Sequence, residues 1–439
     1  MSSKPATDPE ITKETKEEEA NEHSHLVPGA TRKSGLASID FKNLEWTWKD
    51  FHLTLLKTLI TFGDAAEIYL PGVITQAASD ELKVSQTQEG FLGIILYLFL
   101  ALSYFILPAI KDKVGRKEAL KAALYISIIA TVFCCSVPNY WTLLVSRAVL
   151  GFCIGLNMSM AGAYFAEEVS NYTMYNVGTL CSIFTFTLGG GWIAILGYFL
   201  LSRIGWRFFI LTTSAPLFLP PIIIIDCVLT DKSEEKAVHS PPEKNTAVIN
   251  VNGFWCRLIK ASVLNFINTF QGWGSILLIP ALLANLDKRK HDLTQDQELL
   301  ILALLYGLAK LLGRILSIFL LKCSSSRILQ PLLSAVIASC YLTLILQPDQ
   351  GLTTTIIAMG IANMCFCVTR SELTLMEFDS HYFGTERLVL AGAVMSGCGM
   401  LGAAVGAIIA QFLTIYNALI FTFVLSCIQV VTFSCITER

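Results

Sequence analysis

Residues 111–117 read Lys-Asp-Lys-Val-Gly-Arg-Lys and lie between two apolar runs, one near 89–110 and one near 119–137. An apolar run of roughly 20 residues crosses the hydrocarbon core of a bilayer as a helix, so the heptapeptide reads as the short turn between two membrane helices. Gly115 permits the tight turn. Positive-inside bias explains the Lys and Arg but not the order Asp-x-x-Gly-Arg-Lys. That order suits a breakable charge lock, in which Asp112, Arg116 and Lys117 work with Glu167 and Glu168 of the next cytoplasmic loop in one conformation only.

Working outward, further apolar runs occur near 51–75, 140–164, 177–201 and 206–229. A polar stretch rich in Lys, Glu, Pro and Asn follows from Asp231 to about Asn252, and reads as a flexible linker. Six more runs come after it, near 255–284, 299–321, 328–347, 352–376, 388–412 and 415–436. The expectation is an all-α membrane protein with twelve transmembrane helices in two six-helix bundles. Residues 1–50 form an N-terminal tail, 51–229 the first bundle, 230–253 the linker, 254–436 the second bundle and 437–439 the C-terminus. The loop at 111–121 is rich in Lys and Arg whereas Pro138-Asn139-Tyr140 carries none, which places both termini and the linker in the cytoplasm.

Composition agrees. Charged residues make up 15% of the 439, against about 25% in a soluble domain. A net charge of -2 offers nothing to nucleic acid. The polar start has no cleavable secretory signal. The cysteines sit almost all inside apolar runs as small buried hydrophobes, with no disulfide framework and no ligand spacing for a metal. No cofactor is expected, and the chain is expected to be a monomer.

Ionisable residues within membrane runs cost roughly 2.5–3.5 kcal/mol each on insertion scales and need a partner, a wet cavity or a task. Asp64 and Glu67, three apart on the first segment, share a helix face. Depth arithmetic puts Arg147 of the fourth segment level with Asp64, as counter-ion to the pair. The pair reads either as a substrate or proton site tuned by Arg147, or as a structural ion pair. On the eighth segment Lys310 and Arg314 are four apart; Glu372 or Glu377 would answer Arg314, leaving Lys310 to face a cavity as an anion contact. Arg370 reads as snorkelling at the inner boundary. Asn265, Asn268, Gln271 and Trp273 of the seventh segment either line a substrate route or make interhelical hydrogen bonds. Rows of small residues, Arg147-x-x-x-Gly151-x-x-x-Gly155-x-x-x-Ser159 and Gly402, Gly406, Ala410, leave ridges for close helix approach.

The 111–117 loop and the six-plus-six layout together resemble the major facilitator superfamily. The chain looks most like the synaptic vesicle two-related branch near the organic cation and anion transporters. The matching stretches are Gly63 to Ile68, Asp112 to Lys117, Arg147 to Gly155, Tyr164 to Glu167, Gly205-Trp206-Arg207 with Pro216, and Asn268-Thr269-Phe270 with Gly274. Departures occur in the second half. Lys322-Cys323-Ser324-Ser325-Ser326-Arg327 has neither Asp nor Gly where the family repeats its gating motif, and Glu377 lies far from Arg387.

The resemblance implies alternating access around a central site, with Arg314, Glu377 and Arg387 gating the second half. The function expected is transport of a small organic ion, with protons as the candidate coupling ion, through Asp64, Glu67, Arg147, Asn268, Trp273 and Lys310. The degenerate second-half motif supports a rival reading, a membrane receptor or binding protein that keeps the fold. An enzyme is not expected, because no nucleophile set or phosphate-binding loop is placed for chemistry. The membrane is the plasma membrane or that of a vesicle.

Overall fold

A computed structural model describes residues 46–114, 116–170, 172–228, 253–290, 295–323, 326–346, 352–377, 383 and 388–436. These belong to one compact unit, and no strand occurs among them. The helices are α1 (Trp48–Leu82), α2 (Gln86–Val114), α3 (Arg116–Cys135), α4 (Tyr140–Glu168), α5 (Tyr172–Leu196), α6 (Ser202–Thr213), α7 (Leu219–Val228), α8 (Phe254–Lys290), α9 (Gln295–Ala303), α10 (Lys310–Cys323), α11 (Ser326–Leu346), α12 (Leu352–Glu377), α13 (Leu388–Phe412) and α14 (Ile415–Ile436).

Nine helical runs among the described residues are long and apolar enough to cross a membrane. One of them, Thr173–Asp226, has 54 residues, the length of two crossings. Gly205 breaks it at φ 73, in the left-handed region that glycine enters without steric cost. The following residues fix the reversal. Arg207 donates to the carbonyls of Cys135, the last residue of α3, and of Val137 just after it, and pairs with Glu81 of α1 at 3.0 Å, while Trp206 Nε1 donates to the same carboxylate. A 3-10 turn at Ala215–Phe218, with Pro216 in its first positions, joins α6 to α7. A π turn at Leu304–Ala309 joins α9 to α10. Helices α1 and α8 are the longest single helices among the described residues, at 35 and 37 residues.

The first helix starts at Trp48 rather than 51 because Thr47 caps it. The Thr47 hydroxyl accepts from the Asp50 N–H and donates to the Asp50 carboxylate, a reciprocal cap. Asp50 also accepts the N–H and hydroxyl of Ser170, which ties this end of α1 to the turn after α4. Burial raises the Asp50 carboxyl, but the bonds from Thr47 and Ser170 outweigh it and hold the group below the usual aspartate value. A depressed carboxyl stabilises the fold above its unfolded pKa and loses that contribution as pH falls through the folded one.

Small residues set the closest helix approaches. A Cβ on Gly151 would lie 2.3 Å from the Leu96 carbonyl oxygen of α2, and one on Gly155 2.7 Å from that of Leu100. On α13, a Cβ on Gly402 would lie 2.2 Å from the Phe266 carbonyl oxygen of α8. Gly191 of α5 and Gly307 of the π turn meet almost backbone to backbone.

Two outcomes are expected. Gly151→Leu and Gly402→Leu should each destabilise the purified protein by about 1–3 kcal/mol or more through overpacking, read as a lowered Tm in detergent; an unchanged Tm would contradict the close approaches. Asp50→Asn should flatten the fall in Tm below about pH 4, the aspartate range, relative to the unsubstituted chain.

Candidate functional site

The first polar centre lies inside the first half. Arg147 Nη1 donates to Glu67 Oε2 at 3.0 Å, and both side chains are buried. The other Glu67 oxygen accepts the hydroxyls of Thr131 at 2.9 Å and Ser214 at 2.5 Å. Glu67 therefore knits α1 to α3, α4 and the α6–α7 junction. Arg147 is expected as counter-ion to the acidic pair; the member it bonds is Glu67, one turn further along α1 than Asp64, whose depth it matches. Asp64 accepts one bond, from Asn157 Nδ2 at 3.2 Å, and Asn157 also donates to Ser127. Asp64 Oδ2 has no hydrogen-bond partner among the described residues, and Asp64 is fully buried.

The second centre is a cavity of about 100 Å³, where a water needs ~10–15 Å³. Its walls come from both halves of the chain. Lys57, Thr61, Tyr104, Ser159, Tyr175 and Thr179 line one side with Ser182 and Phe186; Trp273, Arg314, Arg370, Thr374 and Ser396 line the other. Three cations are present, and no carboxylate is among the described lining residues. Lys57 donates to Thr179 at 3.1 Å and sits 4.4 Å over the Phe165 ring, a cation–π contact. Arg370 donates to Asn265; it is buried on the cavity wall rather than snorkelling at the boundary.

Arg314 is the cation that stands out. Its Nε donates to Thr187 at 3.4 Å and its Nη1 to the Cys367 carbonyl at 2.7 Å and Ser371 at 2.8 Å. All three acceptors are neutral. The expected pairing with Glu372 or Glu377 does not form through Glu372, which instead accepts from Gln330. The two Nη2 hydrogens of Arg314 have no partner among the described residues.

An aromatic layer closes the cavity at the end away from Trp48. Phe186 of α5 and Trp273 of α8 stack with centroids 5.3 Å apart and planes at 6°. Tyr97 lies beside Trp273, and Tyr69 beside both Phe186 and Tyr306. Lys310 sits behind this layer, donating to the Tyr69 hydroxyl at 3.0 Å and the Gly272 carbonyl at 3.3 Å, with the Tyr69, Tyr306 and Phe366 rings within 5.0–5.7 Å. It does not line the cavity as expected; it bridges the second half to α1. Asn268 donates to Thr369 at 2.6 Å, and Asn265 and Gln271 likewise bond across helices. Of the expected substrate contacts, Trp273 alone is on the cavity wall.

Of the expected gate, Glu168 pairs with Lys49 at 2.5 Å. Gly115 and Arg387, and the side chains of Asp112, Arg116, Glu167 and Glu377, lie outside the described residues; Lys117 is described, half-buried. No group of His, Cys, Asp and Glu able to hold a metal occurs among the described residues.

A sequence profile described as Major Facilitator Superfamily matches residues 58–407. Among characterised proteins, synaptic vesicle glycoprotein 2A of Rattus norvegicus is 25% identical over 165 residues, 37% of this chain and 21% of that protein. Synaptic vesicle glycoprotein 2B of Mus musculus is 28% identical over 164 residues, 37% of this chain and 23% of that protein. The chain thus spans about a fifth of the length of these relatives. The crystal structure of the human organic anion transporter MFSD10 (TETRAN) superposes with a TM-score of 0.63 at 13% identity, covering 88% of this chain and 99% of that one. That likeness is one of fold.

The two acids of α1 should behave oppositely. Glu67→Gln leaves Arg147 buried without its counter-ion and should cost about 3–5 kcal/mol, whereas Asp64→Asn replaces a carboxylate whose partner is neutral and should leave Tm unchanged or raised. Equal losses in the two variants would contradict the pairing.

Proposed function

The chain belongs to the Major Facilitator Superfamily, and from that premise we propose that it carries a small organic anion across the membrane by alternating access. Chains of this family are membrane transporters, and this one is an integral membrane protein. The observation that carries the sign of the substrate is Arg314. A buried guanidinium without a counter-ion costs several kcal/mol, and this one turns two unused N–H groups toward a cavity that holds Lys57 and Arg370 as well. An anion entering from water supplies the missing charge. The human relative of like fold is described as an organic anion transporter, which agrees with this reading.

The apolar runs, with α1 and α8, make twelve crossings in two six-helix bundles related by an axis along the membrane normal. The cavity lies at their interface, on the Trp48 side of the aromatic layer. Positive-inside bias makes that side cytoplasmic, so the form described opens inward. Protons are the coupling ion in this proposal, held at Asp64. One of its oxygens lacks a partner, and a proton removes the cost of the buried charge. Glu67 and Arg147 hold the first bundle together, and Lys310 and Asn268 hold the second bundle's cavity wall in place.

Proteoliposomes containing the purified protein, exposed to a tissue metabolite extract with and without an inward proton gradient, provide the test. Anionic compounds should be enriched inside. Arg314→Gln should reduce that enrichment about tenfold or more, the worth of a hydrogen bond to a charged group. Asp64→Asn should abolish its dependence on the gradient. Enrichment of cations, or no enrichment of any compound by folded protein, would contradict the proposal; the latter outcome would favour a receptor that keeps the fold.

A further inference from the structure

A second set of buried polar atoms lies in the second half, away from the cationic cavity, where α11 packs along α14. Gln330 Oε1, Ser334 Oγ, and both Oε1 and Nε2 of Gln429 have no hydrogen-bond partner among the described residues, and none of these residues is more than 1% exposed. A buried polar atom left so is costly. Ser334 is unlike its neighbours on the same helix: Ser339 and Thr343 donate back to the carbonyls of Ala335 and Ser339 at 2.9 Å, and Ser334 makes no such bond. Tyr341, near the end of α11, lines a small cavity with Ala418 and Thr422, near the start of α14, so the two helices are antiparallel. Seven residues, two helix turns, separate Thr422 from Gln429 and Tyr341 from Ser334. Gln429 is therefore level with Ser334, with Gln330 one turn beyond, yet no direct bond joins them.

We propose that this seam is a water-binding site, in which ordered water bridges Gln429 of α14 to Ser334 and Gln330 of α11. The donor and acceptor pattern selects the ligand. An anion would face the three side-chain oxygens, and a bare cation would leave Gln429 Nε2 unanswered; water both donates and accepts. Both ends of the Gln429 amide are unmatched, so exchanging its O and N alters nothing. Gln330 is fixed the other way, because its Nε2 donates to Glu372, which extends the site to α12. The same seam holds a second water two turns away. There Gln271 Nε2 donates to Ser426 at 2.7 Å while its Oε1 has no partner among the described residues, and it lines the small cavity of about 10 Å³, close to the ~10–15 Å³ that one water needs. The first half joins its helices through the Glu67–Arg147 ion pair, and the second half joins α11, α12 and α14 through water. This inference is independent of what the cationic cavity carries.

The experiment is a map of the full chain in nanodiscs at a resolution that shows ordered water, recorded once in sodium and once in choline buffer. Density within hydrogen-bond distance of the Gln429 amide and Ser334 Oγ, present in both buffers, is the expected result. Water-edited solid-state NMR of the chain labelled with 15N at glutamine side chains gives a second readout. A glutamine amide that takes magnetisation from water should be present in the unsubstituted chain and missing from Gln429→Met. Should that variant not fold, the two maps decide by themselves. Density that vanishes in choline would make the ligand a cation and overturn the proposal. A Gln429 amide bonded directly to Ser334 or Gln330, with nothing between them, would overturn it as well.

Discussion

A charged side chain inside a bilayer is tolerated only with a partner, with water or with a ligand, and the arrangement of this protein follows from how each buried charge meets that condition. Arg147 meets it with Glu67 through Nη1, and the carboxylate's second oxygen accepts two hydroxyls, while Arg147 Nη2 is buried without a partner among the described residues. Lys310 meets it with a hydroxyl, a carbonyl and three ring faces. Arg314 meets it in part, with neutral oxygens on three of its five N–H groups. The remainder faces a cavity. The site proposed above is thus placed at a buried cation of the second half whose Nη2 has no partner among the described residues.

Among the described residues the halves meet tightly at the end of the cavity away from Trp48. Gly191 and Gly307 allow α5 and the π turn before α10 to touch, and the Phe186–Trp273 stack fills the interface just below them. Phe91 and Phe412 pack the ends of α2 and α13 together at 5.6 Å. Toward Trp48, serines, threonines and the three cations take over, and the helices part. Tyr69 connects the two regions, since its ring packs on Phe186 while its hydroxyl accepts from Lys310. A rearrangement that opened the sealed end would have to break this contact between halves, which makes Lys310 a positioning residue of the interface.

Much of the fold was legible in the sequence, because a run of some 20 apolar residues has few physical outcomes and the 111–117 heptapeptide is specific. The membrane helices lie where the apolar runs lie, and the glycine rows on α4 and α13 do set close approaches. The site was legible only in part. That Arg147 answers the acidic pair of α1 was legible, but depth arithmetic along two helices of unknown crossing angle cannot choose between Asp64 and Glu67, which are one turn apart, and the bonded member is Glu67. Lys57 and Arg370 lie near the ends of their runs, where positive-inside bias and snorkelling explain any cation. The Lys310–Tyr69 contact joins residues 241 apart in the chain, and nothing in either local sequence marks it.

The most direct measurement is an electron cryo-microscopy map of the protein in nanodiscs at a saturating concentration of the organic anion that the proteoliposomes enrich most. Density for the anion within hydrogen-bond distance of Arg314 Nη2, between Thr187 and the aromatic stack, is the expected result. A map in which a protein carboxylate occupies that guanidinium, or in which the anion sits beside Arg147, would contradict the account.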